Sequence, residues 1–292
     1  MRDHEQTFLT INPTGDVATS TRQKLNKKYS KDKAPFRDYP HEWHGSLNGV
    51  RDEKILCAGI DTAMYASNLR DRLGPGGEVV CVDVNSVRFR KNITRFKGDD
   101  RFTLHNCLLW KLAFPSSSFD IVLCTYTLHR IGHPIKGSPN NVLLTLKELS
   151  RVLRGDGFCL VATHAESSFP ELLDLYRRVC AELGLWEQNS AEFDHFRGFP
   201  QETAEGELRN FFNDVTFDEV DTSLSFPTLE SYIEYWDCFP FPAFDKVTDG
   251  DRKRVRDRVL ALAAEQLAIE GSLEITKPSG VFICRAPSQP SK

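Results

Sequence analysis

The chain has no apolar run near the roughly 20 residues that a membrane span needs. Met1-Arg2-Asp3-His4-Glu5-Gln6 lacks the apolar core of a signal peptide. A cytoplasmic protein without a membrane partner is therefore expected. Charge of one sign is also missing: 37 Lys and Arg against 41 Asp and Glu leave a net charge of −4, which argues against nucleic acid as the default partner. None of the eight cysteines forms a C-x-x-C pair, so zinc-ligand spacing is absent and no metal is expected. Cys57, Cys81, Cys124, Cys159 and Cys284 each lie inside an apolar run. Buried free thiols of that kind behave as small hydrophobes in a long intracellular chain. There is no internal repeat. What remains is an ordinary globular composition, 40% apolar and 27% charged over 292 residues, enough for one large α/β domain or a domain with a sizeable insert.

A shortage of glycine at one turn says the most. Residues 54–83 read as a strand (Lys54-Ile55-Leu56-Cys57-Ala58), a turn (Gly59-Ile60-Asp61-Thr62-Ala63), a helix (Met64 to Leu73) and a second strand ending on an acid (Val79-Val80-Cys81-Val82-Asp83). A helix N-terminus after a buried strand offers unpaired N–H groups and a positive dipole end. An acid about twenty residues on can accept both hydroxyls of a ribose. Together they describe a nucleoside-cofactor site. Dinucleotide enzymes place three glycines in this turn so that the backbone can approach a pyrophosphate. Here only Gly59 remains, with Asp61 and Ala63 in the other two places. The Asp61 carboxylate repels phosphate, whereas a cationic or zwitterionic ligand such as S-adenosylmethionine is acceptable. The plainer alternative is any βαβ unit whose helix is capped by Asp61 and Thr62.

Strands alternate with helices from Lys54 to about Glu166. The expected strands are 54–58, 79–83, 101–105, 119–125 and 157–163, with helices near 62–73, 86–96 and 138–153. Runs such as Ile121-Val122-Leu123-Cys124 are continuously apolar, as strands are when both faces of a sheet are covered. The third helix repeats Val142, Leu146, Leu149, Val152 and Leu153 at helical spacing and is expected to stop at Gly155-Asp156-Gly157. This predicts an α/β doubly wound parallel sheet with helices on both faces. Further helices are expected at 169–184 and 251–269, and strands at 215–220, 272–275 and 281–285. Before the sheet, residues 1–50 form a polar segment whose basic run, Arg22 to Lys33, reads as a solvated helix face, followed by Phe36, Tyr39 and Trp43. After it comes an aromatic stretch, Phe226, Tyr232, Tyr235, Trp236, Phe239, Phe241 and Phe244.

The middle of the chain carries a more specific pattern. Leu112-Ala113-Phe114-Pro115-Ser116-Ser117-Ser118-Phe119-Asp120-Ile121-Val122 resembles the L-P-F-P-x-x-S-F-D-x-V signature of class I S-adenosylmethionine-dependent methyltransferases. Leu128-His129-Arg130-Ile131 resembles that family's L-H-H-[LI]. Glu148 to Gly157 resembles its E-x-x-R-V-L-[KR]-P-G-G, with Gly155 and Asp156 replacing Pro and the first Gly. The likeness covers about residues 50–185. More loosely it reaches 285, where an aromatic insert and a closing K-x-S-G-[VL]-F are similar to small-molecule methyltransferases of the type 11 sort. It departs from the family's first motif, [VIL]-L-D-x-G-x-G-x-G, at Cys57, Asp61 and Ala63.

The resemblance implies a Rossmann-like, seven-stranded, mostly parallel sheet. It divides the chain into an N-terminal cap segment (1–50), a methyltransferase-like domain (51–285) whose insert at about 185–270 forms an acceptor-side cap, and a tail (286–292). S-adenosyl-L-methionine is the implied cofactor, held by Gly59, Asp61, Asp83, Asn106, Cys107 and Thr125. Asp83 takes the ribose, and Asn106 and Cys107 flank the adenine. Asp61 either caps its helix or binds the methionine amine in place of the acid that Cys57 replaces. Asp120 belongs to the base of the fourth strand and is structural. The chain reads Thr125-Tyr126-Thr127-Leu128 where amine-methylating nucleic-acid enzymes carry N-P-P-[YF], so a small organic acceptor, apolar or aromatic, is expected, lined by Tyr126, Tyr232 and Trp236. Methyl transfer needs alignment above all. A general base is needed only if the acceptor must lose a proton. His129, His133 and His164 follow strand ends, and His164 and His129 are the catalytic candidates. Two other functions share this pattern: a non-methylating use of the same sulfonium (cyclisation, elimination or aminocarboxypropyl transfer), and a non-catalytic binding subunit.

Overall fold

The computed structural model describes residues 15–32, 52–59, 69–70, 73–84, 96, 98–131, 141–185, 198–238 and 248–288. In chain order its elements are α1 (Gly15–Tyr29), β1 (Lys54–Ala58), β2 (Glu78–Asp83), β3 (Phe102–Asn106), β4 (Phe119–Thr125), α2 (Leu128–Ile131), α3 (Asn141–Val152), β5 (Leu153–His164), α4 (Pro170–Glu182), α5 (Gln201–Leu208), β6 (Phe212–Asp221), β7 (Leu224–Phe226), α6 (Leu229–Asp237), α7 (Asp249–Glu270), β8 (Leu273–Ile275) and β9 (Pro278–Pro287).

Seven strands form one sheet in the order β3-β2-β1-β4-β5-β9-β6. The pairs among β1 to β5 are parallel, and β9 runs antiparallel to β5. The strands read as unbroken apolar runs because alternate residues enter two different cores. Ile55, Cys57, Val79, Cys81, Ile121, Leu123, Leu160 and Ile283 pack on one face. Leu56, Ala58, Val80, Val82, Val122, Cys124, Val161 and Cys284 pack on the other, where Val142, Leu146, Leu149 and Val152 of α3 join them. This is the mostly parallel, helix-flanked sheet that the sequence implies. All of the strand cysteines are free thiols; burial raises the Cys124, Cys159 and Cys284 thiols above their ordinary value, and a hydrogen bond with Cys81, together with burial, raises Cys57.

The chain divides into two compact units. One joins residues 1–37, 167–195 and 221–278; the other joins 38–166, 196–220 and 279–292 and holds the large sheet. This grouping differs from the linear division expected from the sequence, because two separate stretches of the latter half return to the sheet. In the first unit, α1, α4, α6 and α7 accompany the small β7–β8 sheet. Thr228 and Thr248 cap α6 and α7 by accepting from the N–H groups of Ser231 and Asp251. Lys277 is buried there at 3% exposure, its Nζ 3.0 Å from Asn26 Oδ1. Burial, aided by Arg22, lowers its pKa to about 7.

Several boundaries depart from expectation. The helix at 138–153 is α3, 141–152, and Gly155-Asp156-Gly157 lies inside β5. Phe119 pairs with Leu153 but Ile121 pairs with Phe158, so β5 bulges across these residues instead of turning. A Cβ on Gly157 would stand 2.4 Å from the Asp120 carbonyl oxygen, which is why glycine occupies the tightest point. The basic run does form a helix, α1, with Lys24, Lys27 and Lys28 exposed and Leu25 buried. Helices α5 and α6 and strand β7 were not anticipated. The expected helices at 62–73 and 86–96 fall mostly outside the described residues, as do Tyr39 and Trp43.

Candidate active site

Because β1 to β5 are parallel, Gly59, Asp83, Asn106, Thr125 and His164 all come to the same end of the sheet. The strand order reverses between β1 and β4, and such sheets bind ligands outside the carboxyl ends at that switch point. Gly59 follows β1 with φ +95°, and a Cβ there would lie 2.2 Å from Thr127 Oγ1. Both the backbone angle and the space require glycine. Its N–H donates to the Val82 carbonyl, 2.9 Å away, tying the turn to β2.

Asp83 ends β2, half-buried, directly opposite Asn106 in the register. The Asn106 Nδ2 donates to the Asp83 carbonyl oxygen at 2.9 Å, which fixes the amide beside the acid. Cys107 lies next to it, but its side chain packs against the sheet core. Burial raises its pKa. Asp61 lies outside the described residues, as does His133.

A second group gathers past β4 and β5. Thr125 is 5% exposed, and its carbonyl accepts from Thr127 Oγ1 at 3.1 Å. Tyr126 follows with φ +50°, a left-handed conformation that costs a bulky residue strain and needs a reason. Its N–H is held by the Ala162 carbonyl at 2.7 Å. The ring then lies 4.6 Å from the His164 ring, centroid to centroid. His129, buried at 4% exposure, has its ring 5.5 Å from that of His164. Ser279, fully buried at the start of β9, places Oγ 3.4 Å from His164 Nδ1. The Ser279 hydroxyl acts on the Tyr126 phenol in the direction opposite to burial, lowering its pKa. Burial pushes that phenol up to about 12, so it stays protonated at neutral pH.

Three residues expected at the site because they follow the ends of the fourth and fifth strands (Tyr126, His129 and His164) thus come together. Ser279 was missed, although it stands in the closing Lys277-Pro278-Ser279-Gly280-Val281-Phe282 motif. Its signal was the antiparallel register that sets it opposite His164, which no local pattern encodes. Tyr232 and Trp236 lie in the other unit, 3% and 7% exposed. There Tyr232 meets the Phe226 ring edge-on at 5.8 Å. Their burial is that of core side chains. Among the described residues no group of three or more side chains is arranged to hold a metal, and no helix is long and apolar enough to cross a membrane.

At the opposite end of the sheet the motif residues do structural work. Asp120 accepts from the Lys54 N–H at 2.8 Å and pairs with Arg154. Arg151 grips Glu148 through Nε and Nη2, at 2.7 and 2.8 Å, and donates to the Phe114 carbonyl at 2.8 Å. Glu148 in turn accepts from the Leu112 N–H at 2.9 Å. Two stretches that look like independent signatures are therefore one clamp on the loop before β4.

Residues 56–161 match the family model described as a methyltransferase domain. No curated protein matches the chain. Among solved structures, the YcgJ protein of Bacillus subtilis superposes with a TM-score of 0.51 at 16% identity, over 83% of this chain and 96% of that one. Phosphoethanolamine N-methyltransferase 2 of Haemonchus contortus, crystallised with phosphomonomethylethanolamine and S-adenosylhomocysteine, superposes with a TM-score of 0.56 at 14% identity, over 97% of this chain and 61% of that one. A second structure of that nematode enzyme, with S-adenosyl-L-methionine, gives a TM-score of 0.55. At these identities the likeness is one of fold.

Proposed function

Because residues 56–161 match the model of a methyltransferase domain and the chain shares the fold of a nematode N-methyltransferase, we propose that the protein is an S-adenosylmethionine-dependent methyltransferase acting on a small organic acceptor. One observation carries the reading: an acid, Asp83, ends the strand beside a positive-φ glycine, Gly59, at the switch point of the sheet. The residues suit the cofactor. Gly59 keeps the backbone open where a β-carbon would strike Thr127. The Asp83 carboxylate accepts from the two ribose hydroxyls. Asn106, with Nδ2 engaged by the Asp83 carbonyl, keeps Oδ1 as an acceptor for an adenine amine. Bound there, the cofactor supplies an electrophilic methyl group on a sulfonium. Thr125 and Tyr126 face the reacting end, and His164 and His129 are the candidates to receive an acceptor proton. Tyr232 and Trp236 do not enter this proposal.

Thermal unfolding with S-adenosylhomocysteine tests the reading. At 100 times its dissociation constant the ligand should add about 2.7 kcal/mol of stability, and Asp83→Ala should cut the shift at the same concentration to about 0.4 kcal/mol. No shift for the unaltered protein would sink the proposal. Product analysis then separates methyl transfer, which releases S-adenosylhomocysteine, from other uses of the sulfonium, which release methylthioadenosine.

A further inference from the structure

We infer that Ser279 is a positioning residue that turns His164 into the general base for a hydroxyl acceptor. The inference rests on the methyltransferase reading above and adds the acceptor class and the group that orients the base. Three elements converge on one imidazole. β5 ends on His164, β9 brings Ser279 opposite it in register, and the strained turn after β4 lays the Tyr126 ring 4.6 Å from it. Ser279 is fully buried beside a strand end, its Oγ lies 3.4 Å from His164 Nδ1, and its hydroxyl acts on the Tyr126 phenol.

A chain of donors follows from the chemistry of these groups. Ser279 has one hydroxyl proton. Given to the phenol oxygen, it leaves Oγ to accept from Nδ1–H. The hydrogen bond made by one ring nitrogen sets the state of the other, so Nε2 is left unprotonated and basic. Hydrogen bonds of this type are often long before substrate binds and tighten later. In the reaction the acceptor O–H breaks and its proton passes to Nε2. The oxygen electron pair forms the O–CH3 bond, and the S–CH3 bond breaks with its pair staying on sulfur. The products are a methyl ether, S-adenosylhomocysteine and an imidazolium. A neutral amine has a free lone pair and needs no such base. Side chains that meet His164 among the described residues (Tyr126 from the β4 turn, His129 from α2, Ser279 from β9) are two rings and a hydroxyl, and the Glu166 carboxylate, two residues on, belongs to an exposed residue. The Glu166 N–H donates to the carboxylate of Glu202 in α5 at 3.0 Å.

The test begins without substrate. Nitrogen-detected NMR of His164 should show the Nδ1–H tautomer in the unaltered protein. Ser279→Ala should lose it and Ser279→Thr should restore it, while the stabilisation by S-adenosylhomocysteine stays the same in all three. An Nε2–H tautomer in the unaltered protein, or one indifferent to Ser279→Ala, overturns the inference. Methyl-labelled S-adenosylmethionine offered with a panel of phenols, enols and matched amines should label the hydroxyl compounds. With these, Ser279→Ala should lower kcat about tenfold or more with KM little changed, a part of the 10²–10⁴ that a base contributes. Label on amines alone, or on no hydroxyl compound, overturns it too. Absence of any S-adenosylhomocysteine stabilisation is a different failure, that of the methyltransferase reading itself.

Discussion

The two ends of the large sheet differ in what their polar side chains are for. At the amino end of the strands the charged side chains are partnered: Asp120 with Arg154 and the Lys54 backbone N–H, Glu148 with Arg151, and Arg151 with the carbonyls of the loop before β4. At the carboxyl end lie the positive-φ residues Gly59 and Tyr126 and a cluster of titratable rings. Left-handed residues occur at both ends, Ser117 and Ala286 at the amino end among them, so the contrast rests on paired charges at one end and titratable rings at the other. The family signature is strongest at the satisfied end. A motif match therefore reports the frame first and the chemistry second.

The largest test of this contrast is Gly59→Ala. Forcing an alanine to φ +95° costs about 1–2 kcal/mol, and the overlap with Thr127 adds to it. A total near 3 kcal/mol is expected by chemical denaturation, together with loss of S-adenosylhomocysteine binding. Retention of both would show that the turn is not built around this glycine. Next is Asp83→Ala. Removing an ionised acceptor of two hydroxyl hydrogen bonds should weaken S-adenosylhomocysteine about 100-fold, with stability unchanged to within about 0.5 kcal/mol. A stability loss with intact binding would move Asp83 to the scaffold.

Arg151→Ala should do the reverse. It leaves Glu148 and the Phe114 carbonyl without their donor, at a cost of about 2 kcal/mol, and titration calorimetry should find the ligand affinity unaltered. The hydrogen bonds from Arg151 also hold the Glu148 carboxyl below its ordinary range. That stability is present above the unfolded pKa and is lost as pH falls through the folded one. The variant should therefore begin to unfold at a higher pH on the acid limb. The smallest effect is at Tyr126. Its phenol is raised to about 12 in the fold, so the contribution is full below pH 10 and fades as pH rises towards 12. Tyr126→Phe should flatten that alkaline slope in a pH series of thermal unfolding.

Much of the sheet was legible because alternation and continuous apolar runs are local signals. β1, β2 and β4 lie where the pattern puts them, to within a residue. The bulge at Gly155-Asp156-Gly157 was not legible, since a glycine pair after a helix has the same local look whether the chain turns or is pressed against Asp120. Of the site, Asp83 and Gly59 could be named from spacing alone. Tyr232 and Trp236 show the limit of that approach: an aromatic cluster has the same sequence whether it lines a pocket or fills a core, and both side chains are buried in the unit that does not hold the large sheet.

By itself the sequence determined where β1, β2 and β4 run and which acid stands at the end of β2, because periodicity and turn chemistry act over a few residues. Only the tertiary structure decided that Ser279 meets His164, that Arg151 clamps a loop nearly forty residues earlier, and that Cys107 packs inward. Those contacts join stretches that are remote in the chain, and their energies depend on strand register and burial, which no local pattern specifies.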